Sequence, residues 1–255
     1  MIIDLNCDIG ESSGAIPNVD EAATMASVTS ANVACGFHAG DPTLMRHTVR
    51  RARDAGVAVG AHPGFFDPVG FGRIETRLTP QHVEDLVLYQ VGALAAIASS
   101  EGVPLRHVKA HGALYNMAAR DRALADALAK GVRAFDPSLV LFGMAGSEML
   151  AAGAAAGLSV AAEGFADRTY DPEGRLTPRT QPGAVLRDAE VVVPRAVRMV
   201  AEGVVVATDG SEIRLRVDTV CIHGDTPGCH ELARALRLGL EQAGISVIPF
   251  RGSRC

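Results

Sequence analysis

The 255-residue chain contains no tryptophan, and aromatic residues make up only 4% of it. A binding surface built from stacked rings therefore has little material. An excess of positive charge is missing too: 24 Lys and Arg stand against 29 Asp and Glu, for a formal net charge of −5. With no basic stripe, nucleic acid is not an expected partner. Only two of the cations are lysines, Lys109 and Lys130. The arginine bias reads chiefly as genomic composition, but it singles out Lys109, which lies inside the densest polar motif. No 18-residue apolar run is evident, and the N terminus opens directly into a strand pattern, MIIDLNCDIGE. The expectation is a cytoplasmic protein with no signal peptide and no membrane span. The five cysteines are odd in number and form no CxxC pair. That argues for reduced thiols rather than a disulfide framework.

What is present is apolar and regular. Hydrophobic residues make up 48% of the chain, enough for one large core in a single domain spanning 1–255. Short apolar runs near 2–8, 28–35, 57–62, 105–111, 139–144, 158–164, 218–223 and 245–250 alternate with helical patterns. Asp41-Pro42 starts a helix that stops at Gly56, and Thr79-Pro80 starts another. A third runs from near Gly228 to Gly244. Such alternation implies a parallel sheet, either closed into a barrel or open and doubly wound. No GxGxxG follows the first strand and no GxxxxGK[ST] occurs, so neither nucleotide-binding form of the open sheet is supported. Polar clusters close strand after strand around the chain, which suits a TIM-like (β/α) barrel of seven or eight strands with one active face. Two segments break the rhythm. Residues 165–183 are polar and rich in Pro and Gly, as expected of a mobile cover or a partner interface. Residues 203–217, with Asp209-Gly210 between apolar stretches, read as a hairpin.

The chemistry-bearing residues sit at the strand ends. Asp4, Asn6 and Asp8 alternate along the first strand and share one face. Either this face meets solvent at a sheet edge or it lines a polar pocket; helices covering a parallel sheet on both sides favour the pocket. His38 follows the second strand, while Asp41 beside it is explained as a helix cap. His62 ends the third strand. Lys109 and His111 point together from the fourth, which is costly unless they meet something anionic or polar, whether a ligand or one of the first-strand aspartates. Glu163, Asp167 and the adjoining Arg168 follow from the sixth, and His223 with Asp225 from the seventh. Their repeated position at strand C termini is the argument, because parallel barrels hold their sites there. Histidines and carboxylates are also metal ligands, but HxH and HExxH are absent, so a divalent metal is possible without being expected. No GxSxG elbow or cysteine–base pair supports covalent catalysis.

In order along the chain, DLNCDIGE, ANVACGFHAGD, GAHPGF, GFGR, HVKAHGALYN, FADRTY and CIHGD resemble the LamB/YcsF family, from Met1 to about Ile248. One departure is Ala110, where the family has proline between the lysine and the histidine. The resemblance implies an atypical TIM-like barrel related to polysaccharide deacetylases and some glycoside hydrolases. It also implies ATP-dependent hydrolysis of 5-oxo-L-proline to L-glutamate with two further 5-oxoprolinase subunits, ATP being a co-substrate of the complex. On side-chain chemistry, Asp8 helped by Glu11 is then the expected base and Lys109 the partner of an oxyanion or phosphate. His62 and His111 are expected to carry protons, and Arg168 to anchor a carboxylate. Asn6, His38, Glu163, Asp167, His223 and Asp225 are expected to bind substrate. Two other readings are a metal-dependent amidohydrolase that needs no ATP and a noncatalytic binding subunit.

Overall fold

A computed structural model describes residues 1–12, 21–224 and 228–252. In chain order the elements are β1 (Ile2–Ile9), α1 (Glu21–Met25), β2 (Ser30–Ala34), α2 (Pro42–Ala55), β3 (Ala58–His62) and α3 (Pro80–Ser100). They continue with β4 (Leu105–Lys109), α4 (Gly112–Arg120), α5 (Arg122–Phe135), β5 (Val140–Met144), α6 (Glu148–Ala155) and β6 (Ser159–Phe165). The last are α7 (Ala189–Glu202), β7 (Val204–Val206), β8 (Glu212–Arg214), β9 (Thr219–Ile222), α8 (Cys229–Gln242) and β10 (Ser246–Val247).

The sheet closes. Strands β1-β2-β3-β4-β5-β6-β9 pair in parallel in that order, and β9 pairs back onto β1, with Asp4 opposite Thr219 and Cys7 opposite Ile222. The barrel therefore has seven strands. The eighth parallel strand, β10, pairs only with the start of β1, at Ile2 and Ile3. β7 and β8 form the antiparallel hairpin expected around Asp209-Gly210.

Local chemistry sets the helix boundaries. The Asp41 carboxylate accepts from the amides of Thr43 and Leu44, Pro42 opens α2, and Gly56 ends it with φ of 69°. Thr79 and Pro80 start α3 in the same way. By length and mean hydropathy α3 could cross a membrane, although Glu84, Asp85 and Gln90 interrupt its apolar residues. In the fold it buries one face, Val83, Val87, Gln90, Val91, Leu94 and Ala98, against its neighbours α2 and α5.

The two faces of β1 show where the core lies. Ile3, Leu5 and Cys7 join the large apolar layer between barrel and helices. Asp4, Asn6 and Asp8 are just as buried, but they point inward to one another's partners across the barrel. An ordinary barrel fills this space with branched aliphatics. Here a polar network fills much of it.

Candidate functional site

The network centres on Lys109, whose ammonium is nearly sealed from solvent. Its Nζ donates to Asp8 Oδ1 at 2.8 Å, to Asn6 Oδ1 at 3.3 Å and to Cys221 Sγ at 3.0 Å, and lies 3.0 Å from Glu163 Oε1. β4 and β1 are not neighbours, so these contacts span the barrel interior. Burial disfavours the charged lysine, but the Asp8 charge outweighs it, with the Cys221 sulfur and Glu163 adding to the effect, and holds the ammonium well above its ordinary pKa. Burial likewise opposes charge on Asp8, and His62 and Lys109 outweigh it, keeping the carboxyl well below the usual range. Burial pushes the Cys221 thiol well upward, so it serves as a neutral acceptor.

Supporting bonds fix this arrangement. Asn6 Nδ2 donates to Glu163 Oε1 and Thr219 Oγ1, and Tyr115 donates to Glu163 Oε2 at 2.7 Å. Asn32 Nδ2 donates to both Asn6 Oδ1 and Asp8 Oδ1. The Asn32 carbonyl accepts from His107 Nε2 at 2.7 Å, and the His107 ring stacks on Phe142.

Behind the other oxygen of Asp8 lies a histidine cluster. His62 Nε2 is 3.4 Å from Asp8 Oδ2, and its Nδ1 donates to the Lys109 carbonyl at 2.8 Å. His111 Nδ1 lies 3.0 Å from His62 Nε2 and 3.2 Å from Glu11 Oε1. His111 Nε2 donates to the Phe71 carbonyl at 2.8 Å. Phe71 reaches that position with φ of 55°, a left-handed conformation that costs a side-chain-bearing residue about 1–3 kcal/mol. The strain falls where the backbone orients an imidazole. His38 stacks on His111 and meets Glu11 Oε1 through Nε2 at 3.1 Å, while its Nδ1 is buried without a hydrogen-bond partner. Burial drives the His38 pKa down to about 3 and also lowers that of His111. His62 moves the other way, because the Asp8 charge outweighs its burial. Glu11, His38, His62 and His111 place donor atoms within 4.8 Å of one another, as do Asp8, Cys221 and His223.

A cleft of about 780 Å³ opens over this floor. Asp8, His62, Lys109, His111, Arg168 and His223 reach it, together with Arg73 and Arg179 on its walls. Asn6, His38, Glu163 and Asp167 do not line it. In this structure they hold residues that do line the cleft, Asp167 by accepting from His223 Nδ1 and from the His223 amide. Arg168 faces the cleft but donates to the carbonyls of Ala184 and Thr177, so part of its guanidinium braces the 165–183 segment. That segment forms one wall, tied down by Tyr170, which pairs with Leu176 and whose carbonyl accepts from the Thr208 amide. Asp225 lies outside the described residues. Sequence reasoning missed Asn32, His107, Tyr115, Thr219 and Cys221. For Asn32 and His107 the signal was present, since Ser30/Asn32 and His107/Lys109/His111 each alternate as Asp4/Asn6/Asp8 does.

The LamB/YcsF family profile matches residues 3–254. The chain belongs to the LamB/YcsF family. Among its relatives, a protein from Rhodopseudomonas palustris (strain BisB5), named as the A subunit of 5-oxoprolinase, is 53% identical over 251 residues, covering 98% of this chain and 99% of that one. The protein of the same name from Chloroflexus aggregans is 54% identical over 245 residues, 96% and 97% of the two chains. The crystal structure of a lactam utilization protein from Thermus thermophilus superposes with a TM-score of 0.91 at 50% identity, covering 98% of this chain and all of that one. The catalytic domain of a peptidoglycan N-acetylglucosamine deacetylase from Eubacterium rectale shares the fold alone, with a TM-score of 0.50, 11% identity and coverage of 98% and 88%. The expected TIM-like barrel related to the deacetylase fold is thus borne out.

Proposed function

We propose that this chain is the A subunit of an ATP-dependent 5-oxoprolinase, cytoplasmic, opening the lactam of 5-oxoproline to glutamate together with two further subunits. The observation that carries the reading is the Lys109–Asp8 pair on the floor of a cleft walled by Arg73, Arg168 and Arg179. The names carried by relatives that match along their whole length support it.

A lactam carbonyl is a poor electrophile. Phosphoryl transfer from ATP to its oxygen makes the ring carbon open to water; addition of one water and rupture of the C–N bond give an acyl phosphate, which a second water cleaves to glutamate and phosphate. Asp8, held ionised, accepts the proton of the attacking water. Lys109 faces the negative charge that develops on oxygen. His62, next to Asp8, passes the proton toward the ring nitrogen. The wall arginines receive the substrate carboxylate, with Arg179 joining Arg168 because Arg168 is partly engaged in its own loop.

The test is glutamate and phosphate release from 5-oxoproline and ATP, with and without the partner subunits. The chain alone should be nearly inactive, and the reconstituted complex active. Asp8→Asn in that complex should lower kcat by about 10²-fold or more. Normal turnover by an Asp8→Asn complex would make this chain a binding subunit. Hydrolysis by the isolated chain without ATP would favour a metal-dependent amidohydrolase, a reading to which the Glu11–His62–His111 cluster lends weight.

A further inference from the structure

We propose that Glu11, His62 and His111 form a binding site for one divalent transition-metal ion, with Asp8 closing its cleft side. Three observations lead there.

The first is the direction of the lone pairs. A carbonyl can only accept, so the Lys109 carbonyl fixes the hydrogen of His62 on Nδ1, and the Phe71 carbonyl fixes that of His111 on Nε2. The remaining ring nitrogens, His62 Nε2 and His111 Nδ1, then face each other at 3.0 Å, a spacing that a shared proton or a metal ion between them accounts for. Glu11 Oε1, at 3.2 and 3.7 Å from them, and Asp8 Oδ2, at 3.4 Å from His62, add further acceptors to the same point. Four acceptors converging in a buried site require a cation. Backbone carbonyls on the far nitrogens are also what orients ligating imidazoles.

The second is spacing. Ligands about 2.0–2.2 Å from a metal lie about 3.3–3.6 Å apart in a tetrahedron and about 3 Å apart in an octahedron. The separations of 3.0, 3.2, 3.4 and 3.7 Å bracket both.

The third is charge. The carboxylate of Glu163 accepts from Asn6 and Tyr115 and lies against Lys109, that of Asp8 accepts from Lys109, and that of Glu11 meets His38 Nε2. Against these three anions the described cluster sets one ammonium, Lys109. With an ion bound and all imidazoles neutral, two negative charges would face the site and one divalent ion cancels them; without an ion, a proton on His62 beside Asp8 cancels only one.

His38 is not a ligand in this arrangement. Its ring lies 2° from the plane of His111 at a centroid distance of 3.7 Å. An ion in the plane of His111 is therefore out of the plane of His38. His38 instead donates from Nε2 to Glu11 and positions that carboxylate. Imidazole nitrogen with carboxylate oxygen suits Zn²⁺, Co²⁺ or Mn²⁺ better than Mg²⁺.

The proposal needs neither the 5-oxoprolinase reading nor a partner; with an ion bound, His62 Nε2 is a ligand, and the proton-carrying role proposed for His62 belongs to the ion-free site. The test uses the full chain, stripped with chelator and titrated with Co²⁺ and Zn²⁺, without substrate, ATP or other subunits. Cobalt absorption and elemental analysis should report one ion per chain. His62→Gln and His111→Gln, checked for folding by circular dichroism, should each weaken binding by at least about 10²-fold. His38→Gln should weaken it by about 10–100-fold and alter the cobalt spectrum while leaving one saturable site. A parent protein that takes up neither ion at millimolar concentration would overturn the proposal in favour of a shared proton. Folded His62→Gln or His111→Gln proteins that bind as tightly as the parent would overturn it too. Loss of binding in His38→Gln but not in His111→Gln would refute the ligand set.

Discussion

Replacing Lys109 by methionine removes a cation from between two buried carboxylates while keeping most of the apolar stem. The Nζ stands 2.8 Å from Asp8 and 3.0 Å from Glu163. At an effective dielectric of about 20, each pair is worth roughly 5–6 kcal/mol before the desolvation of three buried charges is deducted. Breaking a buried pair by deleting one partner typically leaves a net loss of about 3–5 kcal/mol. That is a large share of a stability of about 5–15 kcal/mol. The loss should also depend on pH. Without the lysine, burial acts on Asp8 with less opposition and its folded pKa rises. A group whose folded pKa lies above its unfolded value stabilises the fold at low pH and loses that contribution as pH rises through the folded value. The deficit of Lys109→Met relative to the parent should thus be widest near pH 8 and narrow toward pH 5. Urea unfolding followed by circular dichroism at both pH values measures it, and turnover of the reconstituted complex should fall by about 10²–10³-fold. A variant with parental unfolding midpoints at both pH values and parental turnover would refute the argument that Lys109 neutralises this core.

Three shorter predictions concern the supports. Burial, then the charges of Lys109 and His62, push the His107 pKa down to about 3, so the unfolded chain binds this proton first and stability falls with pH below about 6.5. Between pH 7 and pH 5 the cost is about 2 kcal/mol, and His107→Gln, which can still donate to Asn32, should lack that component in paired urea titrations. Gly60→Ala places a methyl group 2.2 Å from the His107 ring and should destabilise by about 1–3 kcal/mol or more, read as a lowered Tm. Tyr115→Phe takes a hydrogen bond from the Glu163 carboxylate and should cost about 1.5–3 kcal/mol in the same assay.

Much of this arrangement could be read from residue periodicity. Asp4, Asn6 and Asp8 alternate with Ile3, Leu5 and Cys7, and a parallel strand covered by helices leaves only the barrel interior for the polar set. The cap signals at Asp41-Pro42 and Thr79-Pro80 stated the starts of α2 and α3 because a side-chain acceptor and a missing amide act within a few residues. The strand count was less legible. β10 is two residues long and joins only the base of β1, so its apolar pattern did not reveal that β9 closes the ring without it.

Depth along the barrel was the quantity that periodicity could not supply, and it decides which polar residue meets substrate. Alternation says that a side chain points inward, whereas register says at what level. The ladder sets Asp4 and Glu163 each beside Thr219, and Asn6 beside Cys221, in the lower layers. Asp8 stands above them beside Asn32. From these levels Asn6 and Glu163 end beneath the cleft, while Asp8 and Lys109 reach it. The same offset explains the missed residues. Asn32 and His107 carry no motif on their own, yet register places them where the lower and upper layers must be joined. The site is a stack in which each layer fixes the one above. Residues beneath the cleft therefore set the position of those that line it, and the two roles are indistinguishable in the sequence because both appear as inward polar residues on the same strands.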